Sequence, residues 1–265
     1  MTPDLIYVFC LSGIRPEFSE SADSISLKSL VFGDFHVVMK YVSAEEFSEE
    51  NFKSNLSDMD WLERNAREHV RVNNMLMAQA SVIPFKFGTI FHSENSLQKF
   101  IHDYSDSLAE NLLHINGMEE WSVKIYCDRK SLKEKIDELS EEAAELEKQI
   151  MASSPGKAFL LKRKKSDLIE NEMDRICKKY GQEYFNEIEN LSKATNLNNL
   201  LPKEFTGRED NMILNASFLI HQADVNRLKT VVDEMSDKFT QSGFFIETSG
   251  PWAPFSFIHI KENLR

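Results

Sequence analysis

Three groups of residues have types and spacings that could support chemistry. The first is Lys86, the lone charge in the otherwise uncharged stretch 81–91, "SVIPFKFGTIF", where Gly88 and Thr89 follow it. A catalytic loop, a ligand-binding loop and a buried strand are all compatible with such a passage. The second is the run Lys162, Arg163, Lys164 and Lys165, with Lys157 upstream, in a chain of net charge -12. Read as function, it is a docking patch for an acidic partner. Read as structure, it is a solvated helix face paired with the Glu-rich segment before it. The third group is scattered: His92, His102 and Asp103, and the cysteines Cys10, Cys127 and Cys177.

Most enzyme chemistries lack their residues. The seven histidines form no His-Glu-x-x-His and no His-x-His pair, so no metal site is expected. No Gly-x-x-x-x-Gly-Lys-Ser/Thr and no Gly-x-Gly-x-x-Gly occurs, and Gly156-Lys157 joins two helical patterns rather than a strand and a helix. No Gly-x-Ser-x-Gly elbow is present. The 43 acidic residues guarantee chance pairs, and nothing singles out an acid/base couple. No cofactor is expected.

Composition sets wider bounds. At 42% hydrophobic and 28% charged residues, the 265-residue chain is globular and long enough for two domains. Its acidity argues against broad nucleic-acid binding, and aromatic interleaving is absent from the basic run. No apolar run approaches the roughly 20 residues of a membrane helix. The N-terminal apolar run 5–11 follows Asp4 without a preceding basic residue, and reads as a first strand rather than a signal peptide. Three widely spaced cysteines fit buried thiols in a reducing cytoplasm.

Periodicity then supplies the elements that must position these residues. Strand 5–11, a hairpin over 24–42 turning at Gly33-Asp34, and a helix from Asp58 or Asp60 to Ala80 come first. A strand over 81–91, a helix over 95–116 stopped by Gly117, and an alternating strand 119–127 follow. In this strand, Pro84 predicts an edge or a bulge, Gly88 a bend or close approach, and Lys86 points away from Phe85 and Phe87. Helices over one sheet give an α+β layer close to a ferredoxin-like plan.

Beyond residue 129, Leu132, Ile136, Leu139, Ala143, Leu146 and Ile150 form a heptad seam. "SSPGK" at 153–157 breaks it, and a second amphipathic helix over 158–200, locally weakened at Gly181, makes an antiparallel coiled-coil hairpin. A strand 211–220, a helix 223–240 and two strands within 243–260 complete a second sheet, in which strand 119–127 is an alternative member. The expected domains are 1–128 and 129–265, the second comprising the hairpin at about 130–200 and a sheet region at about 210–260.

Three passages carry a family resemblance. "YVFCLSG" at the N-terminus, "VIPFKFGTIF" before a long helix, and "GPWAPFSF" at 250–257 stand in this order. Together they resemble the gas vesicle protein F/L family, whose signatures have Arg at the position of Lys86, Pro at Ala253 and Tyr at Phe255. The resemblance implies an N-terminal modified ferredoxin-like domain and a C-terminal α+β domain with a coiled-coil hairpin. It implies a non-enzymatic accessory protein of gas vesicle assembly, cytoplasmic and associated with the vesicle. The partners it implies are the hydrophobic shell protein and other accessory proteins, with no nucleic acid and no membrane. Lys86, Gly88 and Thr89, and secondarily Lys162, Arg163, Lys164 and Lys165, are the expected contact residues. A ferredoxin-like ligand-binding or regulatory module is the alternative, by fold analogy alone.

Overall fold

The computed structural model describes residues 5–18 and 25–261. Ser24, the first residue of the expected hairpin, lies outside them. The chain forms two compact units, one of 1–120 with 251–265 and one of 121–250. This differs from the expected division at 128/129. Strand β6 (Met118–Cys127) pairs in the second sheet, and the C-terminal segment packs with the first unit.

The first unit is built around β1 (Leu5–Ser12), in which all eight residues are buried. It lies inside a sheet ordered β2 (Lys28–Phe32), β3 (Phe35–Val42), β1, β4 (Val82–Pro84), with β5 (Ile90–Phe91) also pairing β1. The pairings are antiparallel. Hairpin β2–β3 turns at Gly33, where φ is 60°.

Side chains of a strand alternate between faces, so a strand with no exposed residue needs cover on both. Leu5, Tyr7 and Phe9 enter a cluster with Trp61, Val72 and Leu76 of α3 (Met59–Met77). Ile6, Val8 and Leu11 enter another with Leu97 and Ile101 of α4 (Glu94–Asp103) and Leu108 of α5 (Ser105–His114). Helices therefore cover both faces of this sheet. A β-bulge between Val8 and Cys10 puts Phe9 and Cys10 on the same side. Each such large side chain contributes about 1.5–3 kcal/mol by burial. Asp58 caps α3 by accepting from the amides of Asp60 and Trp61. Two short helices absent from the sequence reading, α1 (Ala44–Phe47) and α2 (Glu49–Asn55), precede it. The expected helix over 95–116 is two helices, broken at Tyr104.

The second unit has a four-stranded sheet ordered β7 (Ser192–Leu197), β8 (Asn211–His221), β6, β9 (Phe244–Trp252). The heptad seam stays buried at Leu132, Ile136, Ala143, Leu146 and Ile150, but on three helices rather than one: α6 (Arg129–Glu134), α7 (Ile136–Leu139) and α8 (Glu141–Met151). The last break is at Ser140, whose extended backbone stops α7. Its hydroxyl caps α8 at the Ala143 amide and donates to the buried Glu172 carboxylate.

Helix α9 (Pro155–Glu189) runs 35 residues, with Pro155 at its first turn. The expected extension to residue 200 is instead strand β7, paired antiparallel with β8. Bridges Arg129–Asp174, Ser140–Glu172 and Glu147–Lys165 set rising numbers against falling ones, the signature of an antiparallel hairpin. Gly181 does not interrupt α9. It is buried where a Cβ would stand 3.5 Å from the Ile213 carbonyl of β8, so it marks close helix–sheet packing. After the short helix α10 (Lys203–Thr206), helix α11 (Val225–Phe239) buries Leu228, Met235 and Phe239, and Tyr184 donates to the Met235 carbonyl at 3.0 Å. At its far end, β9 runs through Gly250-Pro251, and the expected second strand is replaced by a 3-10 turn, Phe255–Phe257, and a non-strand tail.

Gly243 turns the chain into β9 with φ 84°, and a Cβ there would stand 3.0 Å from both the Asp128 carbonyl and the Ser131 Cβ. Gly243→Ala combines left-handed strain with a backbone clash. It is expected to destabilise the protein by about 2 kcal/mol, read as a lower urea midpoint with an unchanged slope.

Candidate functional site

The stretch 81–91 is not one strand. Strand β4 pairs Pro84 with Cys10 at the sheet edge, where a residue without an amide is tolerated. The Phe85 amide donates to the Phe9 carbonyl at 2.9 Å. The chain then leaves the ladder for four residues. The Thr89 amide and hydroxyl both donate to the Lys86 carbonyl, at 3.0 and 2.7 Å, and Gly88 has φ 80°. These are the features of a type II turn, whose third residue needs positive φ. The Val8 amide donates to the Thr89 carbonyl, and pairing resumes at β5. A Cβ on Gly88 would also stand 2.3 Å from the Phe52 ring, so both expectations for this glycine hold.

Because the strand breaks here, Phe85 and Phe87 do not share a side. Phe85 joins the α4/α5 cluster, 5.8 Å from the Phe100 ring. Phe87 joins the α3 cluster, 6.4 Å from Trp61. Lys86 lies between them and is exposed.

Two buried side chains hold the turn from behind. Gly88 donates its amide to the Tyr7 hydroxyl at 3.3 Å, and that hydroxyl donates to His69 Nδ1 at 2.9 Å. His69 Nε2 is 3.0 Å from the Phe85 carbonyl. A carbonyl only accepts, so the proton sits on Nε2 and Nδ1 is the acceptor. Burial pushes the pKa of this imidazole down from 6.5 to about 4, against the opposing pull of the Phe85 carbonyl, so near pH 7 it is neutral.

The tail closes the other side of a groove. Its backbone is satisfied by side chains rather than by a strand. Ser256 donates its amide and hydroxyl to the buried Glu120 carboxylate, at 2.9 and 2.6 Å. Asn111 accepts from the His259 amide and donates to its carbonyl, both at 3.0 Å. Ser107, one helical turn earlier on α5, donates to the same carbonyl and accepts from the Lys261 amide. The resulting groove has a volume of about 370 Å³. Phe85, Phe91 and Phe100 line it from the sheet and α4, Phe255, Ile258 and Ile260 from the tail, and Lys86 and Thr89 are the polar residues on it. It can receive an apolar side chain beside a positive charge.

The structure sorts the expected contact residues. Lys86 lies open on the groove. Gly88 and Thr89 build the turn that presents it, through a positive φ and a hydroxyl bonded to the backbone. Lys162, Arg163 and Lys164 are exposed, whereas Lys165 turns inward to Asp137 and Glu147 and is spent on the hairpin. Tyr7, His69, Ser107, Asn111 and Glu120 were not expected; only the i,i+4 spacing of Ser107 and Asn111 marked a shared helix face. Among the described residues, no three His, Cys, Asp or Glu side chains are placed to hold a metal ion, and no helix is long and apolar enough to cross a membrane. The three cysteines are free and buried.

The depressed pKa of His69 makes the turn sensitive to acid. Between about 4 and 6.5 the unfolded chain binds a proton that the folded one refuses. Stability is full above 6.5 and falls as pH drops toward 4, by roughly 3 kcal/mol for this group. Urea unfolding at pH 7 and pH 4.5 should show a smaller acid-induced loss for His69→Gln than for the unsubstituted protein. An equal loss in both would assign the acid sensitivity to other groups.

The comparisons with known proteins agree with one another. The family model described as "Gas vesicle synthesis protein GvpL/GvpF" matches residues 5–259. Gas vesicle protein L of Streptomyces sp. (strain CB03234) is 25% identical over 269 residues, covering 98% of this chain and 95% of that protein. Gas vesicle protein L of Haloferax mediterranei is 22% identical, covering 66% of this chain and 55% of its own length. Crystal structures of GvpF from Anabaena sp. PCC7120 and from Microcystis aeruginosa share the fold, with TM-scores of 0.69 and 0.65 at 18% and 17% identity. Each alignment covers 98% of this chain and all of the solved one. Over nearly its whole length, the chain belongs to the GvpL/GvpF family of gas vesicle synthesis proteins.

Proposed function

We propose that this gas vesicle accessory protein acts by binding the hydrophobic shell protein in the groove beside Lys86, assisting nucleation or preventing premature aggregation. The observation that carries this reading is an apolar groove with a single cation on it. Shell subunits that have not yet polymerised expose apolar surface, and an acidic partner that covers part of it keeps the complex dispersed. A groove of this size takes one or two apolar side chains, and Lys86 fixes their orientation by pairing with a neighbouring carboxylate or carbonyl. Two of the three passages that resemble the family meet here, since 82–91 and 250–257 both contribute walls. The reading is one of binding rather than catalysis.

The test is co-expression of the full chain with the shell protein, followed by capture. Lys86→Glu reverses a charge that has no ion partner among the described residues, and should leave the melting temperature within about 2 °C. Capture of the shell protein should weaken roughly fivefold or more. Unchanged capture, with folding intact, would remove the groove from the shell contact. Stabilisation by a metabolite screen, without any shell capture, would replace the reading with that of a ligand-binding module.

A further inference from the structure

Helix α9 enters the core of its unit late. Its first buried residue is Glu172, so residues 155–171, about 25 Å of helix, are packed on one side only. The inward side of that segment carries Leu161, Lys165 and Leu168, which are half-buried. The outward side begins with Phe159 and Leu160, which are 71% and 66% exposed. Four residues on, and therefore one turn along the same face, stand Arg163 and Lys164. Lys157 and Lys162 flank them. These four cations have no ion partner among the described residues, in contrast to Lys165. Met151, at the end of α8 on the other side of the hairpin turn, is 77% exposed. In a chain of net charge -12, one end of one hairpin thus combines exposed apolar side chains with unpaired positive charge.

We propose that this hairpin tip, through Phe159, Leu160, Arg163 and Lys164, docks an acidic amphipathic helix of another protein, one whose exposed apolar stripe is bordered by Asp and Glu. Charge complementarity selects an acidic partner, and the one-turn step from the apolar pair to the cationic pair suits the i, i+3/i+4 anchors of a helix. A lipid surface fits less well. A helix lying in a bilayer interface needs an apolar face along its whole length, and beyond Lys164 the outward face of α9 carries exposed Ser166, Asp167, Glu170 and Asn171. A second copy of this chain is also a poorer fit, because its acidic helices α8 and α11 turn their apolar stripes into their own core. The proposal does not depend on the groove beside Lys86.

The test uses the full chain and a labelled synthetic helix of about 20 residues, Leu along one stripe and Glu beside it. A matched helix has Lys in place of Glu. By fluorescence anisotropy, the acidic helix should bind and the basic one should not, with affinity falling as salt rises. Arg163→Glu with Lys164→Glu should weaken binding roughly tenfold, and Phe159→Ser with Leu160→Ser by a similar factor. All four positions are exposed, so circular dichroism should be unchanged in both double variants. Equal binding of the two helices, or binding indifferent to both variants, overturns the proposal. So does flotation with phosphatidylserine-containing vesicles that these variants abolish while the acidic helix fails to bind.

Discussion

The hydrogen-bonded chain Gly88–Tyr7–His69–Phe85 is the constraint on which the groove depends. A strand that leaves its ladder strands backbone donors and acceptors, and a buried one left unpaired costs about as much as a lost hydrogen bond. The turn at 86–89 leaves the edge of a sheet whose central strand is wholly buried. Its Gly88 amide and the Phe85 carbonyl face protein, not water. Tyr7 and His69 satisfy both, and only one tautomer of a neutral imidazole can do so. Lys86 is exposed because the residues on either side of it are fixed.

The same solution recurs wherever the fold departs from regular elements. The tail after β9 is neither α-helix nor strand over 253–261, and Glu120 at Ser256, Asn111 at His259 and Ser107 at Lys261 supply the partners that a neighbouring strand would have supplied. The break at Ser140 is sustained by Glu172, whose carboxylate also accepts from Arg175 at 2.7 Å. That hydrogen bond and ion pair, followed by Ser140, hold the carboxyl of Glu172 below its usual range. Regular elements need only apolar stripes to pack. Irregular ones need specific polar side chains, often distant in sequence.

This difference explains what could be read from the sequence. β1, the β2–β3 hairpin, α3, β6, β8 and α11 announce themselves by period, because burial of one face or both is written directly into residue type. Strand β7, "SKATNL", has no such alternation and owes its existence to pairing with β8. The heptad seam was visible, yet the break at Ser140 was not, since it rests on Glu172 thirty-two residues away. The assumption of alternation through 85–87 failed for a local reason, the turn at Gly88. Lys86 could be picked out as a lone charge among apolar residues, but nothing in the chain's order paired Tyr7 with His69 or Asn111 with His259.

The basic run shows how helix phase divides one motif between structure and surface. Four consecutive cations on an α-helix sweep about 300°, so they cannot all serve one partner. Lys165 falls on the side facing the preceding helices, where Asp137 and Glu147 approach within 2.6 and 2.8 Å. Lys162, Arg163 and Lys164 fall elsewhere on the circle and keep their charge in solvent. The Glu-rich segment before the turn therefore neutralises one cation and leaves three. Pairing the hairpin and presenting a positive face are not competing accounts of this run. They are consequences of the same 100° step between residues.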